Sequence, residues 1–213
     1  MPYGNLKPEG YISRIVDSKL ERLLGLFGAV EVAGTMWCGK TWTSLARAES
    51  VTRIGLSGPR SAAEADPSTA LIGARPHLVD EWQDVPAIWD EVRAAVDADA
   101  ASQGSFILTG SAEPNKDKVH HSGAGRIAKL RMSTMTLQET GVSSGAVSLA
   151  GLFERRFEPQ LVQQKLEPLA TAVCKGGWPA LAASEGAQPE YLDSYFEALF
   201  GVSIPRKGLS GRE

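Results

Sequence analysis

Residues 34–41, with the sequence Gly-Thr-Met-Trp-Cys-Gly-Lys-Thr, restrict the fold of this chain more than any other segment. The apolar run 28–33 before them is predicted to be a strand, and residues 42–49 after them are compatible with a helix. Glycines in such a loop let the backbone wrap around an anion, so that several N–H groups converge on it. A strand, this loop and a helix in that order are typical of a phosphate-binding loop, the Walker A motif. The alternative is a glycine-rich turn that binds nothing.

The side chains of this loop suit a nucleoside triphosphate. We expect Lys40 to reach the β- and γ-phosphates and the Thr41 hydroxyl to ligate Mg²⁺. Cys38 is expected to pack locally. Trp37 is expected to pack, and the alternatives are that it shields the phosphates or stacks on a partner. The residues predicted to contact the nucleotide are Gly34, Thr35, Met36, Trp37, Cys38, Gly39, Lys40, Thr41 and Trp42.

Two acidic residues end the apolar segment 77–81, His-Leu-Val-Asp-Glu, as in a Walker B strand. A carboxylate at a strand end beside the loop can hold Mg²⁺, and a second carboxylate can orient and deprotonate the attacking water. We assign Asp80 to the metal and Glu81 to the general base. The alternative is a strand that runs into an acidic surface loop.

Two further residues are candidates for the same site. Segment 106–111, Phe-Ile-Leu-Thr-Gly-Ser, predicts a strand, and ligands of open α/β sheets bind at the carboxyl ends of strands. Thr109 is therefore predicted to face the γ-phosphate and to hold the lytic water. Arg126 lies on a glycine-containing loop and is a candidate arginine finger, within its own chain or across a subunit interface. The alternatives are a Thr-Gly-Ser turn and a surface arginine. His120 and His121 lack a third metal ligand at suitable spacing.

Hydrophobic periodicity predicts strands that alternate with helices, and hence a parallel sheet covered on both faces. Strands are predicted at 28–33, 51–56, 77–81, 105–110 and 127–132. Helices are predicted at 11–27, 42–49, 85–99, 148–154, 157–174 and 189–200. Segments 57–68 and 112–125 are predicted to be loops, and 176–179 a turn between helices with Trp178 in the core.

Composition narrows the class of protein. The 213 residues are 43% hydrophobic and 22% charged, which suits a globular domain with a small addition. The net charge of −3 and the lack of a basic stripe interleaved with aromatic residues do not favour a nucleic-acid partner. Cys38 and Cys174 lack metal-site spacing. No apolar run approaches the roughly 18 residues of a membrane span, and the N-terminus lacks a signal-peptide core, so a cytoplasmic location is expected.

Together these motifs resemble a family of AAA-like P-loop ATPases of bacteria and archaea. The resemblance rests on segments 27–41, 78–86, 106–111, 121–127 and 176–179, and it extends over residues 11–200. It implies an α/β fold, a three-layer P-loop NTPase of the additional-strand, catalytic-glutamate type. The parallel core sheet would have the order 5-1-4-3-2 and be followed by a short helical region. The resemblance also supports the roles of Asp80, Glu81 and Thr109, matches Arg126 to the family's Gly-Arg loop, and is the only ground for ATP over GTP.

The resemblance also predicts how the chain is divided. Residues 1–147 are expected to form the P-loop ATPase core with its N-terminal helix, and residues 148–213 a helical, lid-like extension. Members of the family are usually much longer and carry a further C-terminal domain. We therefore expect the extension to be truncated here.

The sequence as a whole predicts a protein that binds ATP and hydrolyses it with Mg²⁺. Self-association is one way to supply Arg126 from a neighbouring subunit. Two other functions fit the motifs. A nucleotide-gated switch or scaffold with negligible hydrolysis is supported by the lack of an obvious work-producing domain. A small-molecule kinase fits less well, because no arginine-rich lid follows Thr109.

Overall fold

A computed structural model of the chain describes residues 6–99, 101–110, 123–156, 165–182, 184, 186 and 188–203. The chain divides into two compact units, Met1–Ser133 and Thr134–Glu213. The predictions made for Ser111, His120 and His121 fall outside the described residues. Within the described ranges, no helix combines the length and the apolar character that crossing a membrane requires.

The first unit alternates strands and helices along the chain. Its strands are β1 (Ala29–Gly34), β2 (Ser50–Arg53), β3 (His77–Asp80), β4 (Phe106–Gly110) and β5 (Ile127–Met132). Its helices are α1 (Asp17–Leu24), α2 (Lys40–Leu45), α3 (Ser57–Ala65) and α4 (Ile88–Ala98). Short 3₁₀ turns occupy Pro67–Leu71 and Trp82–Asp84.

The five strands form one parallel sheet in the order β2-β3-β4-β1-β5. This is the expected order 5-1-4-3-2 counted from the other edge, so the predicted α/β architecture is confirmed. Strand β1 is bonded on both sides, to β4 and to β5. Because parallel strands all end at the same edge of a sheet, the residues at the ends of β1, β3 and β4 are brought together.

Hydrophobic cores lie on both faces of the sheet. Val30 and Val32 of β1 belong to the core that contains residues of α1 and α2, whereas Ala29 belongs to the core that contains residues of α4. This alternation follows from the two-residue period of a strand. Burial of a valine or leucine side chain contributes about 1.5–3 kcal/mol, so both faces stabilise β1, the inner strand between β4 and β5.

Segment 57–68 is not a loop, and this prediction was wrong. It forms α3 and the start of a 3₁₀ turn at Pro67. Ser57, Gly58 and Pro59 occupy the first turn of α3, where the backbone N–H groups have no intrahelical acceptor and proline is tolerated. The alanine-rich remainder favours a helix, and Ala63 is fully buried.

Several element boundaries also differ from the predictions. Helix α1 begins at Asp17 and not at residue 11, since the preceding residues make tertiary hydrogen bonds. Strand β2 ends at Arg53 and not at residue 56, and α4 begins at Ile88 after a 3₁₀ turn and not at residue 85. The predicted loop 112–125 lies mostly outside the described residues.

The described residues of the second unit are largely helical, as predicted, whereas residues 157–164 of the predicted helix 157–174 lie outside the described residues. The unit contains α5 (Leu149–Phe153), α6 (Leu166–Lys175), α7 (Pro179–Ala182) and α8 (Pro189–Ala198), with a π turn at Leu199–Ser203. At the predicted turn, the Met135 N–H donates to the Gly177 carbonyl at 2.6 Å. Trp178 is half-buried, with its ring 4.4 Å from that of Tyr195. Along the chain, the boundary between the two compact units falls after Ser133. The functional division at 147/148 stays a prediction.

His77, the first residue of β3, is a buried ionisable group away from the loop. It is 1% exposed, and its Nε2 lies 2.9 Å from the Ala70 carbonyl oxygen. Its Nδ1 lies 2.5 Å from the Ser50 hydroxyl. Burial lowers the pKa of His77, and the hydrogen bond with Ala70 opposes this shift.

We expect stability to depend on the charge of His77. The unfolded chain takes up a proton at His77 near its ordinary pKa of about 6.5, whereas the folded chain resists protonation. His77 thus supports the fold fully above about pH 6.5 and less as the pH falls toward its folded-state pKa. Urea unfolding of wild type and His77→Gln at about pH 7.5 and about pH 5.5 tests this. The variant should lose less stability on acidification, and an equal loss in both proteins would contradict the prediction.

Candidate nucleotide-binding site

The candidate site lies at the carboxyl edge of the sheet, where three neighbouring strands end. β1 ends at Gly34 and runs into the predicted loop, and β3 and β4 end at Asp80 and Gly110. The strand register pairs Asp80 with Thr109, and Thr109 with Val32 of β1. The sheet therefore brings together residues that are far apart in the sequence.

Two glycines of the loop are required by its backbone geometry. Gly39 has a φ of 99°, a left-handed conformation that side chains rarely adopt. Gly34 lies so close to the next strand that an added Cβ would be 2.2 Å from the Met132 carbonyl oxygen. The backbone conformation at Gly39 and the close approach at Gly34 therefore both disfavour larger residues.

Lys40 lies over the loop backbone. Its side chain is largely buried, and its Nζ donates to the carbonyl oxygens of Gly34 at 3.2 Å and Thr35 at 2.8 Å. A buried ammonium group is costly unless it is hydrogen-bonded, and these two carbonyls satisfy it in part. The predicted phosphate-binding lysine is thus held at the loop.

Asp80 joins the loop to the neighbouring strand. Its Oδ1 accepts hydrogen bonds from the Thr41 hydroxyl at 2.9 Å and from the Thr109 hydroxyl at 2.5 Å. The sequence predicted these three residues from three separate motifs, and the structure brings them into one network. Thr109 is fully buried, so its hydroxyl depends on this bond.

The oxygens of this network are hard donors of the type that Mg²⁺ prefers. The described residues contain no group of three or more His, Cys, Asp or Glu that could hold a metal ion. A magnesium site beside a phosphate-binding loop does not require such a group, because hydroxyl, water and phosphate oxygens complete it. One carboxylate and one loop hydroxyl, Asp80 and Thr41, therefore fit the ion.

Glu81 has an unusual backbone conformation directly after Asp80. Its φ of 60° and ψ of 42° are left-handed, which costs a residue with a side chain about 1–2 kcal/mol. Its N–H donates to the Thr109 hydroxyl at 3.4 Å. Its carboxylate accepts a hydrogen bond from the Gln83 side-chain amide. These bonds fix both the backbone and the side chain of the predicted base.

Gln83 was not among the predicted site residues. An added Cβ on Gly110 would lie 2.5 Å from its Oε1, so Gly110 makes room for the Gln83 amide beside the end of β4. The available signal was the position of Gln83 two residues after Glu81. Spacing alone did not reveal the contact, because it depends on the left-handed turn at Glu81.

The tryptophans near the site fall into two groups. Trp82 and Trp89 are buried, with ring centroids 4.9 Å apart, so they are core residues. Trp37 and Trp42 are 39% and 49% exposed. The role of Trp37, packing or contact with a ligand, stays a prediction. Trp37 also has a left-handed φ of 63°.

Arg126 lies at the amino edge of the sheet, opposite the carboxyl edge that carries the loop. Its carbonyl accepts from the N–H of Ala29, the first residue of β1, whereas the loop follows the last residue of that strand. A five-residue advance along a strand covers about 17 Å. The Arg126 guanidinium donates to Asp97 at 2.7 Å. In this arrangement, Arg126 does not reach the loop of its own chain.

Arg14 contacts the loop, although the sequence indicated only a polar position within a predicted helix. Its guanidinium donates to the Cys38 carbonyl at 2.8 Å, and the side chain is largely buried. No signal in the spacing distinguishes Arg14 from the other charged residues of its segment, because the contact spans 24 positions.

Comparisons with known proteins agree with this geometry. A family model described as "AAA domain" matches residues 27–141. The structure is similar to a Walker-type ATPase of Pyrococcus abyssi, with a TM-score of 0.51 and 13% identity, over 98% of this chain and 71% of that chain. At this identity the likeness shows the fold alone, and together with the sheet order it confirms the predicted P-loop NTPase fold.

The similarity to two other solved structures is weaker. Two variant forms of RuvB from Thermotoga maritima match with a TM-score of 0.42 and 17% identity, over 93% of this chain and 67% or 68% of those chains. Among curated proteins there is no significant match.

Proposed function

The chain belongs to the AAA domain family, as its motifs predicted, and on this premise we propose that it binds ATP with Mg²⁺ and hydrolyses it. One observation carries the proposal: Thr41, Asp80 and Thr109 share a hydrogen-bond network beside the loop that holds Lys40. A turn that binds nothing does not require a buried lysine and a shared carboxylate at the same strand edge. This convergence favours a phosphate site over the structural alternatives.

The residues of the network have distinct proposed roles. Lys40 exchanges its bonds to loop carbonyls for bonds to the β- and γ-phosphates, and the loop N–H groups hold the same phosphates. Thr41 and Asp80 hold Mg²⁺. When bound, Mg²⁺ neutralises charge on the phosphates and orients them. Thr109 positions Asp80 and the backbone of Glu81, which agrees with its proposed role as a sensor beside the lytic water.

Glu81 is the proposed general base. Its carboxylate accepts a proton from water as the water oxygen bonds to the γ-phosphorus. The bond between that phosphorus and the bridging oxygen breaks, and ADP and phosphate leave. The hydrogen bond from Gln83 orients the carboxylate, and the bond from the Glu81 N–H to Thr109 ties the base to the sensor strand.

Arg126 is proposed to complete the site of a neighbouring subunit. It lies far from its own loop and is half-exposed, and Asp97 holds its guanidinium at the surface. An arginine presented in this way can neutralise charge on the phosphoryl group that a partner copy transfers. The alternative within one chain would require the opposite edges of the sheet to meet.

Replacement of Lys40 by Ala should weaken the binding of ATP with Mg²⁺ by at least about tenfold, because charge-assisted bonds to the phosphates are lost. Isothermal titration measures the affinity, and phosphate release is followed on the same samples. Lys19→Ala, which removes an exposed lysine on α1, is the matched control. Equal affinity in wild type and Lys40→Ala would contradict the phosphate role of Lys40.

Replacement of Glu81 by Gln should preserve ATP binding and reduce turnover by about a hundredfold or more, because the amide cannot accept the proton. The measurements are the same titration and the steady-state rate of phosphate release. Turnover as fast as in wild type would show that another group is the base.

Mixed assemblies test the role of Arg126. We expect Arg126→Ala and Glu81→Gln to be inactive alone and to regain activity when mixed, because some interfaces then pair an intact Glu81 with a neighbour's Arg126. Arg93→Ala is the control, since Arg93 also donates to Asp97. A mixture no more active than its components, or full activity of Arg126→Ala alone, would overturn the role in trans.

A nucleotide-gated switch is the second candidate function. The hydrogen bond from Gln83 engages one oxygen of the Glu81 carboxylate, and the switch would keep this bond in place of a bond to water. Stoichiometric nucleotide exchange without steady phosphate release would support the switch over the hydrolase. Phosphate transfer to added metabolites would instead indicate a kinase, and salt-sensitive DNA binding would indicate a nucleic-acid partner.

A further inference from the structure

Arg14 connects the phosphate-binding loop to the end of strand β5. One guanidinium nitrogen donates to the Cys38 carbonyl at 2.8 Å, and another donates to the Ser133 carbonyl at 2.9 Å. Arg14 is 7% exposed and Cys38 is fully buried, so the bond to Cys38 forms away from water, whereas the bond to Ser133 is only partly buried. A charge-assisted hydrogen bond in such a place is strong, because water does not compete for it.

The position of Arg14 is fixed by its own neighbours. The Arg14 backbone N–H donates to Asp17 Oδ2 at 2.9 Å, and the Tyr11 hydroxyl donates to Asp17 Oδ1 at 2.6 Å. The guanidinium of Arg47 lies 3.5 Å from the same carboxylate. We call Tyr11, Arg14 and Asp17 the N-terminal clasp; Arg47 pairs with Asp17 from outside it.

The clasp also reaches the helix after the loop. The Tyr11 hydroxyl lies 3.2 Å from the hydroxyl of Thr43, which is fully buried in α2. Burial and the hydrogen bond to Asp17 raise the pKa of Tyr11, so its hydroxyl keeps its proton at neutral pH. The N-terminal clasp is therefore hydrogen-bonded to the loop at Cys38 and contacts the following helix at Thr43.

The bond to Cys38 determines the direction of a neighbouring N–H group. The Cys38 carbonyl and the Gly39 N–H belong to one planar trans peptide unit, in which the two groups point in opposite directions. By holding the carbonyl, Arg14 turns the Gly39 N–H away from the clasp. No described residue accepts a hydrogen bond from this N–H. It is therefore free to donate to a ligand.

The positive charge of Arg14 also favours an anion at the Cys38–Gly39 peptide. A guanidinium stays protonated at any physiological pH, and a buried charge is poorly screened. A hydrogen bond at the carbonyl also polarises the peptide unit and strengthens its N–H as a donor. Geometry and charge thus both favour an anion on the side of the Cys38–Gly39 peptide that faces away from Arg14.

We infer that Arg14 is a positioning residue for the phosphate site, which sets the Gly39 N–H toward the triphosphate through the Cys38 carbonyl. This inference rests on the proposed function, because it needs a phosphate ligand at the loop. Arg14 does not itself touch the nucleotide. It acts on affinity for the phosphate chain, whatever base or sugar is attached.

The test compares Arg14→Ala, Arg14→Lys and Arg47→Ala. Each is titrated, well below its melting temperature, with ATP plus Mg²⁺ and with inorganic tripolyphosphate plus Mg²⁺. Arg14→Ala should bind both probes about tenfold more weakly than wild type. Arg14→Lys keeps the charge but not the planar fork, and should bind both probes more tightly than Arg14→Ala and more weakly than wild type.

Arg47→Ala is the matched control for a merely structural role. Arg47 is also mostly buried and also pairs with Asp17, but its bonds go to Ala46, Asp17 and Glu21 and not to the loop. Its removal should lower the melting temperature and leave both affinities within about twofold of wild type. Thermal unfolding of all variants separates stability from affinity.

Three results would overturn the inference. Wild-type affinity in Arg14→Ala would refute it while the proposed function stands. Equal losses in Arg14→Ala and Arg47→Ala would show that Arg14 supports the fold in general and does not position the loop. Failure of wild type to bind either probe would refute the proposed function and this inference together.

Discussion

The parallel pairing of β1 with both β4 and β5 is the constraint on which the site depends. It places the loop after β1 beside the ends of β3 and β4, and it brings the backbone of β5 so close that position 34 accepts only glycine. Hydrophobic cores on both faces hold β1 in this position. The site is thus a consequence of the sheet, because strands of one direction deliver their carboxyl ends to one edge.

The hydrogen bonds at this edge link the motifs to one another. Asp80 accepts from the loop and from β4, and the backbone of Glu81 donates to the same threonine that contacts Asp80. Arg14 holds the loop from the buried side. Groups that are fixed before a ligand binds lose less entropy on binding, and the strained backbone of Glu81 is maintained by such contacts.

The same topology places Arg126 apart from the other proposed site residues. The start of β5 lies at the amino edge of the sheet, one strand length from the phosphate-binding loop. Asp97 accepts a hydrogen bond from the Arg126 guanidinium there, which is compatible with the proposed role in a neighbouring copy. The loop, the proposed metal ligands and the proposed base lie at the carboxyl edge of the sheet. The proposed arginine finger, Arg126, lies at the amino edge.

The sequence by itself determined the loop, the acidic strand end and the order of most elements, because these depend on short-range spacing and hydrophobic period. It failed at 57–68, where helix-breaking residues occupy a first turn that tolerates them. Only the tertiary structure decided that Arg14 donates a hydrogen bond to the Cys38 carbonyl and that Gln83 donates one to the Glu81 carboxylate. It also decided that Arg126 lies at the amino edge of the sheet, away from the loop. The contact of Arg14 joins residues 24 positions apart, and the other two depend on a turn conformation and on strand direction, which local composition does not encode.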